Sequence, residues 1–501
     1  MRKLSLFIAV ALIHLSLFSQ SKGFFFTERD PRCYSSNGKF SIETEDGCFI
    51  VTEVSILAPY FDQTEVDIFK FSAEGELLGK VEVGRHLEIS GLFHFPDEPN
   101  LFYLILAHFE NTVLVPRIVC FDDNLNICSS VDVKLPPEIE IPLDLILAAR
   151  AMVDNNKKVY FTFYHMGPYG GRIHMRFTLD GRFETFTTDH EGGLAGSPFL
   201  FPDGSCWSYY GSILARFDDS LNLNRVHIFQ MIVDEPQPSG LTHQIWTRAS
   251  SFPTAVALPD SSFLIAEEVS EEWLNHNQNI VDRDYCQSAF FKSSYDGEVE
   301  KVIVVGSRDT LERPAHFQAI DYINPNAIFL CGSQHLEPDS FGTLVIPNKI
   351  FIKKVDNDLN LIWEKSYMLG ANHYMPMYLL ATQDGGCLVS GKVMYDIDQE
   401  EADIFVLKIN ADGSVGTNEV LVEDVLPYVF YPNPTQGKLY MQFSPDVQPK
   451  QIELYDQQGR LVRTQSKAFE SIDMSLLPAG TYTMRVTLKD GQVFSDKVVK
   501  E

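Results

Sequence analysis

Pairs of turn-forming residues recur along the chain, and this recurrence limits the possible fold more than any other feature of the sequence. The first turn of each pair falls at Asp46-Gly47, Asp97-Glu98, Asp154-Asn155, Asp203-Gly204, Pro259-Asp260, Asn324-Pro325 and Asp384-Gly385. The second falls at Glu74-Gly75, Asp123-Asn124, Asp180-Gly181, Asp219-Ser220, Asp296-Gly297, Asn357-Asp358 and Asp412-Gly413. Asp-Gly and Asn-Gly pairs supply the positive φ angles that tight hairpins require. Each repeat is therefore predicted to contain two hairpins.

Runs of β-branched and aromatic residues flank these turns, and no helical period separates the repeats. In Ile404–Ile409, apolar and polar residues alternate as they do along a half-buried strand. Four antiparallel strands repeated at this spacing are typical of a β-propeller blade, and the repeat Thr382–Val420 resembles blades of secreted bacterial propellers. The sequence predicts an all-β chain in which residues 24–420 form a propeller of about seven blades. A set of β-sandwiches is the alternative.

The first 21 residues have the pattern of a cleavable secretory signal peptide. Two basic residues precede an apolar stretch from Leu4 to Phe18, and Ser19 and Ser21 place small side chains at the −3 and −1 positions. We expect the mature chain to begin near Lys22. No apolar run reaches the roughly 18 residues that a membrane-spanning helix needs, so no transmembrane segment is predicted.

The chain is acidic, with 40 Lys and Arg against 68 Asp and Glu and a net charge of −28. This charge repels phosphate backbones, so nucleic acid is not expected as a partner. Residues 425–501 contain nine basic and eight acidic residues, a net of 9 − 8 = +1, so residues 1–424 carry −28 − 1 = −29. The contrast supports a separate C-terminal domain.

The long loops between strands and between blades are predicted to meet at one face of the propeller, where propeller ligands usually bind. The candidate ligand-binding residues on this face are His86, His243, Trp246, Arg248, His316, His373 and Tyr374. Trp246 and Trp273 are suited to stacking on sugar rings. The alternative is core packing, because 12% of the residues are aromatic.

The sequence contains none of the local motifs of common hydrolases, nucleotide-binding proteins or zinc sites. We predict no catalytic residue, no metal and no cofactor, and we favour a non-catalytic propeller that binds a protein or a glycan. A propeller hydrolase of glycosidase or peptidase type is the alternative, because a propeller can assemble carboxylates and histidines from separate blades. One stretch of acidic residues is a candidate for binding calcium, because clustered carboxylates suit this cation; the simpler interpretation is a solvated loop. The stretch contains Asp396, Asp398, Glu400, Glu401 and Asp403.

Eight cysteines in an exported chain leave the disulfide pairing open. Cys120 and Cys128 flank a hairpin turn, and Cys33 and Cys48 form another candidate pair. The alternative is that the cysteines are small buried side chains between blades.

A set of short motifs near the C-terminus resembles a known family. In chain order they are Tyr431-Pro432-Asn433-Pro434, Gly437, Glu453-Leu454-Tyr455-Asp456-Gln457-Gln458-Gly459-Arg460, Leu477-Pro478-Ala479-Gly480-Thr481-Tyr482 and Lys497-Val498-Val499-Lys500. Together they resemble the type A C-terminal sorting domain of the type IX secretion system. The short strands and turns of this segment predict a small immunoglobulin-like β-sandwich.

The resemblance implies an export route for the whole chain. After the signal peptide has directed the chain into the periplasm, an outer-membrane translocon is expected to recognise residues 421–501, which comprise the linker and sorting domain. A surface sortase then cuts in the linker from Gly413 to Pro427. The mature protein is expected outside a Gram-negative bacterium, either released or attached to the outer-membrane surface. No residue of the motifs is expected to be catalytic.

Overall fold

A computed structural model describes most of the chain. The described residues are 23–28, 33–57, 64–85, 87–110, 113–136, 139, 146–165, 171–189, 197–201, 203–210, 212–218, 220–229, 231–236, 241–247, 254–275, 280–306, 310–336, 348–369, 372–394, 401–416, 421–424, 428–431, 435–443, 448–456, 458–489 and 493–500. All regular elements in these ranges are β-strands, which confirms the predicted all-β fold. These ranges also contain no helix with the length and apolar character to cross a membrane. The chain divides into a first unit, Met1–Glu423, and a second unit, Asp424–Glu501.

The first four sheets of the first unit are antiparallel and follow one another along the chain. Sheet 1 contains β2 (Cys33–Glu43), β3 (Phe49–Leu57), β4 (Thr64–Phe71) and β5 (Leu77–Arg85). Sheet 2 contains β6 (Leu87–His94), β7 (Leu101–Glu110), β8 (Val113–Asp122) and β9 (Ile127–Asp132). Sheet 3 contains β10 (Ile146–Val153), β11 (Lys158–His165), β12 (Gly171–Thr178) and β13 (Phe183–Asp189). Sheet 4 contains β14 (Ser197–Leu200), β15 (Cys206–Tyr210), β16 (Ile213–Phe217) and β17 (Leu223–Ile228).

The next three sheets are larger or are completed by distant strands. Sheet 5 contains β18 (Met231–Pro236), β19 (Thr242–Thr247), β20 (Thr254–Ala257), β21 (Phe263–Leu274), β22 (Ile280–Ser293) and β23 (Val299–Val305). Sheet 6 contains β24 (Thr310–Pro314), β25 (Ile320–Asn324), β26 (Ala327–Leu336), β27 (Asn348–Val355), β28 (Leu361–Met368) and β32 (Leu421–Asp424). Sheet 7 contains β29 (His373–Ala381), β30 (Cys387–Met394), β31 (Ala402–Ile409) and β1 (Phe24–Glu28). One parallel pair, Ser35 with Ala402, also joins sheets 1 and 7.

The innermost strands of these sheets contact one another in a cyclic order. The strands are β2, β6, β10, β14, β20, β25 and β29, and the last of them contacts the first. Apolar clusters fill the spaces between neighbouring sheets, so burial of apolar surface holds each sheet against the next. This cyclic order is the connectivity expected of a β-propeller. We call the end of the sheets that carries the paired tight turns the turn end, and the opposite end the loop end.

The first described strand completes the last sheet. β1 pairs antiparallel with β31, from Phe24 opposite Lys408 to Glu28 opposite Ile404. The ring of Phe24 packs against the rings of Phe49 and Phe71 of sheet 1, with centroids 6.1 Å away in each case. The N-terminal strand therefore contributes to both sheet 7 and its contact with sheet 1.

Two glycines fix the chain next to this strand. The Gly416 amide donates to the Gly23 carbonyl oxygen at 2.9 Å, and the Gly23 amide donates to Oδ1 of Asn410 at 2.8 Å. A Cβ on Gly416 would lie 2.2 Å from the Gly23 oxygen, so this close approach requires glycine. The start of the described chain is thus bonded to the segment that leaves sheet 7.

The hairpins that join the third and fourth strands use two kinds of turn. Sheets 1, 3 and 5 place a glycine in the left-handed conformation, whereas sheets 2, 4 and 6 place Leu125, Leu221 and Leu359 there, with φ between 56° and 66°. In sheet 6 the carboxylate of Asp356 accepts the amides of Asp358 and Asn360 at 2.9 and 2.8 Å. These bonds and burial of the leucine offset the strain of a positive φ.

Sheets 5 and 6 have a divided innermost strand. In sheet 5, β20 pairs with the first part of β21 and β19 pairs with the second part, which extends the sheet at the loop end. In sheet 6, β24 and β25 pair with different parts of β26. The intervening residues, Ala315–Ala319, form what we call the axial bulge.

The second unit contains two sheets. One sheet contains β33 (Tyr428–Tyr431), β34 (Lys438–Phe443) and β37 (Ser471–Asp473); the other contains β35 (Pro449–Tyr455), β36 (Leu461–Gln465), β38 (Gly480–Leu488) and β39 (Val493–Lys500). The two sheets share one apolar core, to which Leu439, Ile452 and Met484 belong.

Local hydrogen bonds explain two of the C-terminal motifs. The Asp456 carboxylate accepts the amides of Gln458 and Arg460 at 3.0 Å each, and Gly459 supplies the positive φ of that turn. The Tyr482 hydroxyl donates to the Pro478 carbonyl oxygen at 2.7 Å, which fixes the chain entering β38.

Cys48, Cys120, Cys128, Cys206, Cys331 and Cys387 are free thiols. Cys33 lies opposite Leu57 at the loop end of sheet 1, whereas Cys48 directly precedes β3 at the turn end. Ten residues of strand separate them, roughly 30 Å, so the candidate pair Cys33–Cys48 is wrong. Cys120 lies opposite Ser129, the neighbour of Cys128, but both thiols are free, so the structure does not contain that candidate pair either.

Candidate ligand site at the sheet axis

Three sheets hold the axial bulge in place. The amides of His316 and Phe317 donate to the carbonyl oxygens of Pro376 and Met377 on β29, at 3.2 and 2.7 Å. On the other side, the amide of Ala319 donates to Oγ1 of a threonine on β20 at 3.2 Å. The bulge of sheet 6 is therefore bonded to sheets 5 and 7.

The ring of Phe317 lies between two cations from other sheets. The guanidinium carbon of Arg150, on β10, is 4.0 Å from the ring centroid, and the ammonium of Lys39, on β2, is 4.9 Å from it. Arg150 also donates to the carbonyl oxygens of His316 and Phe317 at 3.2 and 3.4 Å. Such cation–π contacts strengthen when they are desolvated, and both cations are buried. Phe317 thus connects sheets 1, 3 and 6 at the axis.

Burial makes the charges of Lys39 and Arg150 costly. Desolvation and the neighbouring Arg150 lower the pKa of Lys39 to about 7, and desolvation lowers the pKa of Arg150 to about 9. Lys39 forms an ion pair with Glu88 of β6, whose side chain is 34% exposed. Negative charge near this pair of cations stabilises their charged forms.

Two further cations lie towards the loop end. Arg313, on β24, has its Nε 3.8 Å from Oε1 of Glu268 on β21, and Lys392 lies on β30. Desolvation is the main reason that the pKa of His316 falls to about 3 and that of His373 to about 4. The charges of Arg313 and Lys392 lower both values further, so both histidines are neutral at pH 7.

The extension of sheet 5 carries aromatic residues on both faces. Trp246 lies opposite Ser270, which shares a face with Glu268, and the adjacent Ile245 packs in the core from the other face. His243 stacks on Trp273, with centroids 5.0 Å apart and planes at 17°. Because paired residues and alternate residues share a face, Trp246 and Glu268 lie on one face and His243 on the other.

The structure does not bring all the predicted binding residues together. His86 and Arg248 lie outside the described residues, and so do Asp396, Asp398 and Glu400 of the acidic run. The ring of Tyr374 is buried between Phe25 and Phe405, at centroid distances of 6.3 and 5.4 Å. Within the described ranges there is no group of three or more His, Cys, Asp or Glu side chains with the arrangement of a metal site.

The sequence reasoning missed Lys39, Arg150 and Phe317. The sequence did contain one indication of them: a basic residue stands inside an otherwise apolar innermost strand, as Arg150 does in Ile146–Val153. Buried lysine and arginine are rare unless they have partners, so such positions indicate a polar cluster.

Comparison with protein families identifies the second unit. Residues 429–501 match the family described as the secretion system C-terminal sorting domain. This region is a type IX sorting domain. The resemblance recognised in the sequence is thereby confirmed, and the chain is secreted or exported to the outer-membrane surface of a Gram-negative bacterium. The type IX sorting domain occupies only the C-terminal part of the chain, so it does not identify the first unit.

No curated protein matches the chain. Among solved structures, an α-L-arabinofuranosidase from Fusarium graminearum is 11% identical with a TM-score of 0.40, and the match covers 80% of this chain and 100% of that chain. A protein of unknown function from Bacteroides caccae is 10% identical with a TM-score of 0.31, covering 60% and 89%. Prolyl oligopeptidase B from Galerina marginata is 8% identical with a TM-score of 0.37, covering 96% and 58%. Identities and TM-scores this low give no basis for assigning the activity of any of these proteins to this chain.

Proposed function

We propose that the first unit is a seven-bladed propeller that binds a protein or a glycan at its loop end without converting it. The observation that carries the proposal is the gathering of Lys39, Arg150, Arg313 and Lys392 at the axis of a strongly acidic chain. Four cations from four sheets provide a recognition surface for a complementary ligand. The type IX sorting domain supplies the route by which this binding unit reaches the outside of the cell.

The protonation states of the two axial histidines argue against their acting as general acids or bases at neutral pH. General acid–base catalysis is most efficient when the pKa of the catalytic group lies near the working pH. The pKa values of His316 and His373, about 3 and 4, lie far below neutrality. The Glu88 carboxylate is paired with Lys39. The two histidines are therefore poorly suited to proton transfer at neutral pH.

The sorting domain is proposed to bind the outer-membrane translocon and to be removed by a sortase within Gly413–Pro427. Two contacts favour a cut after Gly416. The Tyr367 hydroxyl donates to the Gly413 carbonyl oxygen at 2.9 Å, and Gly416 is bonded to Gly23. A protease needs an extended backbone free of such bonds, so the bonded part of the linker is the poorer substrate.

The test separates binding from turnover. The full mature protein is incubated with a glycan array and with cell-envelope proteins, and the mass of each retained ligand is compared before and after incubation. Retention of a ligand of unchanged mass supports the proposal. Release of shortened glycans or peptides, abolished by Glu88→Gln, would establish the hydrolase alternative instead.

A further inference from the structure

We propose that the type IX sorting domain binds a protein of the translocon through two exposed leucines, Leu461 and Leu476, which enter an apolar pocket of that partner. This inference rests on the proposed binding of the sorting domain to the translocon and names the surface that makes the contact. It depends on three observations: the convergence of the sequence motifs at one end of the two sheets, the exposure of the two leucines, and the pairing of the charges around them.

Within one sheet of the sorting domain, strand pairing gathers three of the sequence motifs. Tyr455, at the end of β35, lies opposite Thr483 near the start of β38. Gly480, the first residue of β38, lies opposite Lys500, the last residue of β39. Because these strands are antiparallel, the turn 456–460 that follows β35 lies at the same end of the sheet as Gly480 and Lys500.

The second sheet brings a fourth motif to this end. Thr435 forms a parallel bridge with Lys500, and its amide donates to the Val499 carbonyl oxygen at 2.8 Å. The amide of Met474 donates to the Gly437 carbonyl oxygen at 2.6 Å. We call this end, which comprises residues 435–437, 456–460 and 474–480, the motif end.

Leu476, at the motif end, is the most exposed large apolar residue in the described part of the chain. It is 92% exposed, whereas Leu78 of β5, the next in order, is 54% exposed. The neighbouring Leu477 packs against the apolar core, so the chain buries one leucine and leaves the other in solvent. An apolar surface rimmed by polar residues is typical of a protein interaction site.

Leu461 adds a second apolar side chain at the motif end. It is 51% exposed, and as the first residue of β36 it lies opposite Tyr455. At the other end of β36, Nε2 of Gln465 donates to the carbonyl oxygen of Ser471, the first residue of β37, at 3.0 Å. β36 therefore leads away from the motif end and β37 leads back to it, so Leu461 and Leu476 lie on the same side of that end.

The charges around the leucines favour a protein pocket over an anionic membrane surface. Nη2 of Arg460 lies 2.7 Å from Oδ2 of Asp456, Lys438 lies opposite Asp473, and Lys500 is buried. Binding to anionic lipid needs a cluster of basic side chains that can meet phosphates, but adjacent acids offset the charges of Arg460 and Lys438. An apolar pocket without excess charge is the complementary partner.

The experiment measures binding of the full chain, without its signal peptide, to the type IX translocon purified in detergent from the producing bacterium. We expect Leu461→Ser and Leu476→Ser each to weaken binding about tenfold, because each removes an apolar side chain that is buried in the complex. Leu476→Met keeps an apolar side chain of similar volume and should bind as the parent does. In the bacterium, both serine variants should accumulate in the periplasm.

Two controls separate the surface from general effects of substitution. Leu78→Ser removes an exposed leucine from β5 of the first unit and should leave binding and export unchanged. Hydrogen exchange of the β38 amides should be the same in Leu476→Ser and in the parent, because a side chain in solvent contributes little to stability. A variant with weaker binding and unchanged exchange has lost the contact and kept the fold.

Four outcomes would overturn the proposed surface. They are parental affinity in both serine variants, faster exchange of the β38 amides in Leu476→Ser, leucine-dependent binding to protein-free vesicles of phospholipid and lipopolysaccharide, and a dimer of the full chain that both substitutions dissociate. If the parent and both serine variants bind the translocon equally well, only the surface fails. If the parent itself does not bind the translocon, the proposed function of the sorting domain fails.

Discussion

The two units of the chain differ in what they bury. The first unit encloses charged groups such as Lys39, Arg150 and Glu53, whereas the buried polar residues within the described part of the second unit are Thr435 and Lys500. All 13 histidines, eight cysteines and four tryptophans lie before residue 424. A small domain whose core is almost wholly apolar is specified by its local turns and strand pattern. The larger unit depends on polar groups that come together from separate sheets.

The same difference explains why the sorting domain could be identified from its sequence whereas the proposed binding residues of the first unit could not. The motifs of the type IX sorting domain are short local segments, such as the turn from Asp456 to Arg460, and they remain recognisable as sequence. The axial cluster draws one residue each from β2, β6, β10, β24 and β30, so no continuous segment contains it. From this contrast we expect that a substitution in one unit changes the stability of that unit and leaves the stability of the other unchanged.

The largest effect is expected from the strand that completes sheet 7. Phe24→Ala removes a buried ring between sheets 7 and 1 and should lower the free energy of unfolding of the first unit by about 3 to 5 kcal/mol. Because all four tryptophans lie in the first unit, tryptophan fluorescence during urea unfolding reports this loss.

The matched control for this change is Phe186→Ala, at a partly exposed ring on the outer strand of sheet 3. This substitution should lower the free energy of unfolding by less than about 1 kcal/mol. Hydrogen exchange of the second unit should be unchanged in both variants. Equal losses in the two variants would show that β1 is not required to complete the ring.

A smaller loss of stability is expected when the pH is lowered and His373 is protonated. The pKa of His373 is lowered to about 4 from an ordinary value of 6.5, so the folded state binds fewer protons than the unfolded state between these values. The stability that neutral His373 contributes is present above pH 6.5 and is lost as the pH falls towards 4. At pH 5 the loss is about 2 kcal/mol relative to neutral pH, at 1.4 kcal/mol per pH unit.

The measurement is the difference in unfolding free energy between the parent and His373→Gln at pH 7.5 and at pH 5. The raised pKa values of Glu43, Glu53 and Asp321 act in the opposite sense, because these acids favour the folded state on acidification. They are present in both proteins and cancel in the difference. The difference should shift by about 2 kcal/mol in favour of the variant at pH 5, and a constant difference would contradict the burial of His373.

The smallest effect is expected in the second unit. Tyr482→Phe removes the hydrogen bond to the Pro478 carbonyl oxygen and leaves the ring in place, so it should cost about 1 kcal/mol. Hydrogen exchange of the β38 amides measures the loss, while the tryptophan transition of the first unit should not move. A parallel fall in both units would show that they unfold as one.

The paired turns were predictable because their residues act locally. Each Asp-Gly or Asn-rich pair lies between antiparallel strands, as at Gly297, which has a φ of 88°. The alternation of turn types was not predictable from propensity, because leucine disfavours the left-handed conformation that Leu221 and Leu359 adopt. Burial between sheets outweighs the local preference at these positions.

The candidate site was predictable only in part. His316 lies in the axial bulge itself, but the ring that lies on the axis belongs to its neighbour Phe317, which as a phenylalanine gives no signal of function. Tyr374 was expected to meet a ligand and instead packs in the core, because the alternation of β29 turns its ring towards sheet 6.

The amino-acid sequence by itself determined the all-β class, the positions of the hairpins and the type IX sorting domain, since each depends on residues close together in the chain. Only the tertiary structure decided that Phe24 to Glu28 complete the last sheet and that Lys39, Arg150 and Phe317 meet at the axis. These contacts join residues more than a hundred positions apart, and the energy of burying charge and apolar surface together is set by the assembled sheets.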